Sequence, residues 1–205
     1  MNNRAYTPAQ ASAVTELPLK AVHKLIEGHL ICPRRRRVGQ ETKRFLSEEQ
    51  LIYLKLEAEG VRLLPMVERR KVAKAIETSP DVDFFAISDG QALVVQVKTA
   101  REGVTQNLLR LGKAEQMIVS DPEVMQGTPV YRGTRIPVEL VANMLEKGTT
   151  VEEIVKGYPA LDSEKVGMAT LYMLAFPRRG RPARRPWAKH APIKVSRHRS
   201  ISTVK

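Results

Sequence analysis

Cysteine is almost absent from this chain of 205 residues: Cys32 stands alone. That excludes an intramolecular disulfide and any zinc site built from clustered cysteines, and makes a reducing cytoplasm the expected home. Long apolar runs are missing too, since nothing approaches the roughly 20 residues of a membrane helix. The N-terminus lacks the basic start and apolar core of a secretory signal, so no membrane partner is expected. Acidic residues are absent from positions 177–205, which hold ten lysines and arginines. The net charge is +12, yet the other 176 residues balance 24 basic against 22 acidic groups. The cationic object is therefore the tail rather than the body. A second local excess lies in residues 1–46, with nine basic groups against three acidic.

Catalytic constellations are missing as well. Asp81, Asp83 and Asp89 surround one hairpin, and two of them stand as ordinary turn and strand-end residues. His23, His29, His190 and His198 fall in two distant pairs, and His29 near Cys32 has no second half to complete a metal site. Gly39, Gly127 and Gly133 do not make a phosphate-binding loop. No enzyme activity, cofactor or metal is expected. Apolar residues at 42% and charged residues at 27% mark a soluble globular protein with room for one or two small domains.

What is present begins with Thr7-Pro8-Ala9-Gln10, a capping box with proline at the first helical position. The short helix it opens ends near Thr15. Pro18 starts a second, with Val22, Leu25 and Ile26 on its apolar face and Gly28 as its stop. Two short helices so close together read as helix-turn-helix. The Tyr6–Val14 opening also resembles the start of MerR-like winged modules, which implies that Lys20, His23 and Lys24 lie on the exposed face of a recognition helix. Next come Arg34, Arg35, Arg36 and Arg37, a glycine turn at Gly39, then Lys43 and Arg44. Short β-type pieces with cations on both sides of a turn suit a wing lying on a phosphate backbone. The competing view is a small helical domain whose arginines form a solvated loop; capped helices, basic face and basic wing together favour DNA. Ser47 and Gln50 cap a helix that Gly60 ends.

Residues 65–79 are a further helix, broken by Pro80. Val82–Ser88 and Gln91–Lys98 are β-rich runs joined by Asp89-Gly90, a hairpin signal. Leu93, Val95 and Val97 are expected on one apolar face of the second strand. A ribbon of two strands is marginal alone, so it must pack on a helix, on another hairpin or on a second copy. A helix from about Arg101 to Gly112 leads into the most punctuated stretch of the chain. There, Val130-Tyr131 and Arg135-Ile136 flank a turn through Arg132-Gly133-Thr134. Pro137 fits the start of a helix that Gly148 ends, Thr150 and Glu153 form a capping box, and Asp162 or Ser163 caps a last helix running to about Phe176.

The run Asp121-Pro-Glu-Val-Met-Gln-Gly-Thr-Pro-Val-Tyr-Arg-Gly-Thr-Arg-Ile-Pro-Val138, with the helix Val151–Val155 and its stop at Tyr158-Pro159, resembles the bacterial family "domain of unknown function 433". The resemblance covers residues 116–176. It implies a VapB-type antitoxin of the long form, encoded beside a PIN-like ribonuclease toxin. In such a protein Arg132 and Arg135 could clamp an acidic partner surface; alternatively, Gly133 simply makes the turn and Arg135 pairs with Asp121 or Glu123. The last helix is apolar nearly all round, from Val166 through Leu171 to Phe176, and offers little to base edges. Dimerisation or toxin contact is expected there, and DNA reading in the N-terminal unit.

The tail, with four prolines and few apolar residues, is expected to lack a packed core. Pro177-Arg-Arg-Gly-Arg-Pro182 resembles the AT-hook core, whose arginines enter the minor groove of A·T-rich DNA. The family resemblance instead implies a segment that inhibits the ribonuclease. On that view Arg178, Arg179, Arg181, Arg184 and Arg185 compete for the acidic side chains around its magnesium, with Trp187 as the aromatic anchor. A solvated tail without a target is the third option.

The expected protein is thus mainly α with small β-hairpins. It divides into a winged helix-turn-helix at 1–60, a connecting helix and hairpin at 61–115, a three-helix antitoxin module at 116–176 and a basic unstructured tail at 177–205. The expected function is a type II antitoxin that neutralises its toxin by direct binding. As a homodimer, and as a hetero-oligomer with the toxin, it would also repress its own operon on double-stranded operator DNA, in the nucleoid-associated cytoplasm. The alternative is an autonomous DNA-binding regulator or nucleoid-associated protein with an AT-hook-like tail.

Overall fold

The computed structural model describes residues 4–79, 81–88 and 92–177. The arm from Arg178 onward, with Arg178, Arg179, Arg181, Arg184, Arg185 and Trp187, lies outside the described residues, as do Pro80 and the Asp89-Gly90 turn.

The described residues are mainly helical, with three two-stranded antiparallel ribbons. Helices α1 (Pro8–Thr15) and α2 (Leu19–Glu27) come first, then strands β1 (Arg34–Val38) and β2 (Glu41–Phe45). Helix α3 (Glu48–Glu59) follows, then α4 (Met66–Thr78), β3 (Phe84–Ser88), β4 (Ala92–Gln96) and the long α5 (Val97–Met117). Strands β5 (Ile118–Val119) and β6 (Val130–Tyr131) precede α6 (Val138–Glu146), α7 (Val151–Gly157) and α8 (Ser163–Ala175).

Local chemistry sets most of these limits. Reciprocal capping boxes open α1 at Thr7 and Gln10, α3 at Ser47 and Gln50, and α7 at Thr150 and Glu153, each satisfying two backbone donors that the helix itself cannot. Asp162 caps α8 by accepting the Lys165 N–H at 2.8 Å. Gly148, at φ 88, closes α6, with Gly148 N–H on Leu145 O and Thr149 N–H on Met144 O, both at 3.0 Å; this is the left-handed helix stop that glycine favours.

Three elements differ from expectation. Helix α5 begins at Val97 and continues to Met117 instead of running from Arg101 to Gly112. Val97 is buried, and its N–H and that of Lys98 converge on Asp83 O at 2.8 and 3.1 Å, turning the chain out of the strand. Gly112 does not stop the helix because buried Leu111 and Ala114 hold that turn in place. Around residue 130, the main partner of β6 is β5, in the register Ile118↔Tyr131 and Val119↔Val130. The expected pairing with Arg135-Ile136 gives way to one bridge, Val130↔Pro137, with Tyr131 N–H on Ile136 O at 3.2 Å.

The third difference concerns α8. It packs on α1 and α5 as well as on α6 and α7, while Leu174 stays 57% exposed. Val166 and Ala169 are fully buried and Met168 nearly so, and each large apolar side chain so covered is worth about 1.5–3 kcal/mol. One hydrophobic cluster runs from Tyr6 through α3, α4 and α5 to Leu111 and takes in Ala175; the second gathers Ala114, Ile118, Tyr131, Val138, Ile154 and Val166. Leu171 of α8 packs against both. Residues 61–115, expected as a connector, thus contribute Val72, Ile76 and Val104 to the same core as the N-terminal helices.

A buried ion pair ties α4 to α3. Glu57, 2% exposed, accepts two hydrogen bonds from Arg69 at 2.8 and 2.9 Å and a third from the Tyr53 hydroxyl. Burial, and then the neighbouring Glu57 carboxylate, push the Tyr53 hydroxyl well above its ordinary pKa, so it stays a donor at all physiological pH.

Candidate nucleic-acid interface

Helices α1 and α2 are joined by a three-residue turn in which Glu16 adopts φ 61. Helix α2 is strongly two-sided: Val22, Leu25 and Ile26 are buried, Lys20 and Lys24 are exposed and His23 is half-buried. Lys24, in the last turn, also complements the negative end of the helix dipole.

The β1–β2 ribbon stands next to it. Gly39 makes its turn at φ 64 with open space where a side chain would be, and Arg37 Nε donates to Gly39 O at 3.3 Å. The base of the ribbon is pinned twice. Tyr6 and Leu46 exchange backbone hydrogen bonds at 3.0 and 2.7 Å, and Gln50 Nε2 donates to Cys32 O at 3.0 Å. All five residues of β1 are exposed.

The register places Arg35 opposite Arg44 and Arg36 opposite Lys43. Residues directly opposite share a face, so Arg34, Arg36 and Lys43 lie on one side and Arg35, Arg37 and Arg44 on the other. Like charges in such pairs repel by about 1 kcal/mol in water. Six cations therefore share a ribbon in which Glu41 is the one acid. Arg36 lies 6.0 Å from the Phe45 ring centre, which supports its stem but does not neutralise it. An arrangement like this is electrostatically unfavourable for folding, and a polyanion such as a phosphate backbone would relieve it.

Between α1, α2, β2 and the end of α8 lies a cleft of about 850 Å³. His23, Lys43 and Arg44 line it, together with Leu19, Thr42, Ala175, Phe176 and Pro177. Lys24 faces away from this cleft, into a hollow of about 530 Å³ shared with Arg62 and Arg69. Arg35 and Arg44 border a third hollow with His29 and Cys32. The structure thus brings His23, Lys43 and Arg44 together and sets Lys24 on the other flank of α2. Leu19, Thr42 and the 175–177 wall were not anticipated. Leu19 is legible as the residue one helical turn before His23, but no local pattern ties Phe176 to a helix more than 150 positions earlier.

In the C-terminal module, Arg132 and Arg135 are both exposed on the Gly133 turn, where Gly133 sits at φ 76. Arg132 Nε donates to Gln116 O at 2.9 Å, which fixes its stem against the end of α5. Arg135 does not pair with Asp121 or Glu123: Asp121 Oδ1 instead accepts the Glu123 N–H at 2.9 Å. Neither arginine lines the cleft or the two hollows that hold the N-terminal cations. Among the described residues no group of three or more His, Cys, Asp or Glu is placed to hold a metal ion. No helix among the described residues is long and apolar enough to cross a membrane.

Residues 118–173 match the family model "Protein of unknown function (DUF433)". The chain is 27% identical over 190 residues to the uncharacterized protein y4eO of Sinorhizobium fredii, covering 84% of this chain and 82% of that one. The similarity therefore extends well beyond the matched module into the N-terminal half. Among solved structures, the crystal structure of Rv2018 from Mycobacterium tuberculosis is similar over 80% of this chain and 96% of that one, with 17% identity and a TM-score of 0.32.

Proposed function

We propose that this protein is a double-stranded-DNA-binding repressor of its own operon and the antitoxin of a type II toxin–antitoxin pair. The observation that carries the DNA half is the β1–β2 ribbon: six cations beside one acid, in like-charged cross-strand pairs, next to the exposed face of α2. In this reading α1–α2 is the helix-turn-helix, α2 enters the major groove with Lys20 and His23, and the ribbon is the wing on the flanking phosphates. A dimer on two half-sites about one helical turn apart follows from that geometry.

The antitoxin half rests on the resemblance of residues 121–138 to antitoxin modules. Its partner would be a PIN-like ribonuclease, with Arg132 and Arg135 facing the acidic surface. An autonomous regulator is favoured by one feature, the packing of α8 on four helices of its own chain, which leaves that helix less apolar surface for a toxin.

Mobility shift of the full chain on duplexes tiled across the DNA upstream of its gene tests the first half. One duplex should bind about 10³-fold or more tighter than scrambled sequence; equal binding to all would overturn operator recognition. Ribonuclease activity of the neighbouring gene product, assayed with and without this chain, tests the second. Unchanged activity would leave the regulator alone.

A further inference from the structure

Lys24 turns away from the His23 cleft into a hollow of about 530 Å³, within the range of about 300–1,000 Å³ usual for small-molecule sites. The α1–α2 turn at Leu17 and Pro18, one flank of α2, Glu57 of α3, the single helical turn Val61–Leu63 and the start of α4 all contribute to its lining. Much of that lining is apolar. Leu17, Leu25 and Leu30 are buried there, whereas Met66 is 44% exposed. A methionine side chain adapts to an irregular apolar partner at little cost.

Five charged side chains line the same space: Lys24, Glu27, Glu57, Arg62 and Arg69. Glu57 and Arg69 satisfy each other through their two hydrogen bonds at 2.8 and 2.9 Å. That leaves Lys24 and Arg62 against Glu27. None of these three makes an ion pair or a side-chain hydrogen bond among the described residues. The hollow therefore holds one positive charge in excess, beside apolar surface.

We propose that this hollow is a binding site for a small amphipathic monoanion. The ligand is a carboxylic acid whose carboxylate meets Arg62 and Lys24 and whose hydrocarbon part lies on Leu17, Leu25, Leu30 and Met66. Arg62 suits a carboxylate because its guanidinium can donate two parallel hydrogen bonds, and Lys24 adds a compact point charge. A cation would meet the like charge already in excess. A neutral hydrocarbon would leave both basic groups without a partner, and inorganic phosphate has nothing to bury against the leucines. Such a site is independent of the DNA-binding and antitoxin readings, because it uses the flank of α2 that faces away from the His23 cleft.

Methyl NMR of the full-length chain, carrying [methyl-13C]methionine, reads the site through Met66, whose signal Met66→Leu identifies. Octanoate should shift that signal saturably with a Kd of about 1 mM or tighter. Acetate should bind at least about tenfold more weakly, since it has no chain to bury, and octylammonium should give no saturable shift. Lys24, Glu27 and Arg62 are exposed, so their variants should keep the circular dichroism of the parent. Lys24→Ala with Arg62→Ala should weaken octanoate binding about tenfold or more. Glu27→Gln should tighten it about twofold or more by enlarging the positive excess, a gain that a damaged fold would not produce. Equal shifts from octanoate and octylammonium would overturn the anion site and leave an apolar crevice. So would octanoate binding that ignores the loss of Lys24 and Arg62, or no saturable shift with octanoate at about 10 mM.

Discussion

Replacing Arg34, Arg35, Arg36 and Arg37 together by alanine removes charge without touching the core, because all of β1 is exposed. If the six cations of the ribbon each neutralise one phosphate, log K falls with log salt with a slope of about −5, since each contact contributes about 0.9. Raising salt from about 50 to 200 mM then costs about 10³ in affinity. The quadruple substitution should reduce that slope by about 3 and flatten the salt dependence accordingly. The ribbon itself should survive: the Tyr6–Leu46 and Gln50–Cys32 hydrogen bonds that anchor it involve no arginine, and removing like-charge pairs relieves repulsion. Fluorescence anisotropy across a salt series gives the slope, and circular dichroism checks the fold. Pairwise changes refine the result. Arg36→Ala with Lys43→Ala, and Arg35→Ala with Arg44→Ala, probe opposite faces of one ribbon; with a phosphate on every cation, each pair should lower the slope by about 2. A folded quadruple variant with the parental slope would refute the assignment of the ribbon to phosphate contact.

Other consequences concern stability. Glu57→Ala should cost about 3–5 kcal/mol in urea unfolding by stranding the Arg69 guanidinium, whereas Glu57→Met with Arg69→Met should recover most of it; a mild single variant would mean the pair is not buried as described. Gly133→Ala, at φ 76 with no neighbour to clash, should cost about 1–2 kcal/mol from backbone strain alone. Asp162→Ala should cost about 1 kcal/mol at neutral pH through loss of the α8 cap. The Lys165 backbone hydrogen bond holds the Asp162 carboxyl below its ordinary pKa, so its contribution is present above the unfolded value and is lost as pH falls through the folded one. The gap between wild type and Asp162→Ala should therefore close in strong acid, and a gap that widened there would contradict the cap. Leu111→Ala, deep in the first cluster, should cost about 2–5 kcal/mol, and a loss within about 0.5 kcal/mol, as at an exposed position, would contradict its burial.

Most helix limits were legible because capping is local chemistry. Thr7, Ser47 and Thr150 each announce a helix with a glutamine or glutamate three positions on, and all three boxes form. The β1–β2 ribbon was legible for the same reason, as its turn lies in Gly39 and its pairing is between neighbours. The start of α5 was not: Val97 alternates with Val95 as a strand residue would, and only Asp83 O, brought close by the preceding strand, turns it into a helix. Nor was the position of α8. Its apolarity signalled the burial of Val166, Met168 and Ala169, but a helix covered by a distant part of its own chain and one covered by a partner look alike in sequence. The site divides the same way. The basic residues of α2 and the ribbon were individually apparent, while the grouping of His23 with Lys43, Arg44 and Phe176, and the separation of Lys24 from them, depend on packing between elements far apart in the chain.

The most direct test of the central claim is a footprint of the full-length protein on the DNA upstream of its gene, at about physiological salt. Two protected half-sites about one helical turn apart are expected, and Lys20→Ala with His23→Ala should erase them while leaving non-specific binding. No protection at protein concentrations where mere non-specific binding sets in, at about 10⁻⁶–10⁻⁴ M, would contradict it.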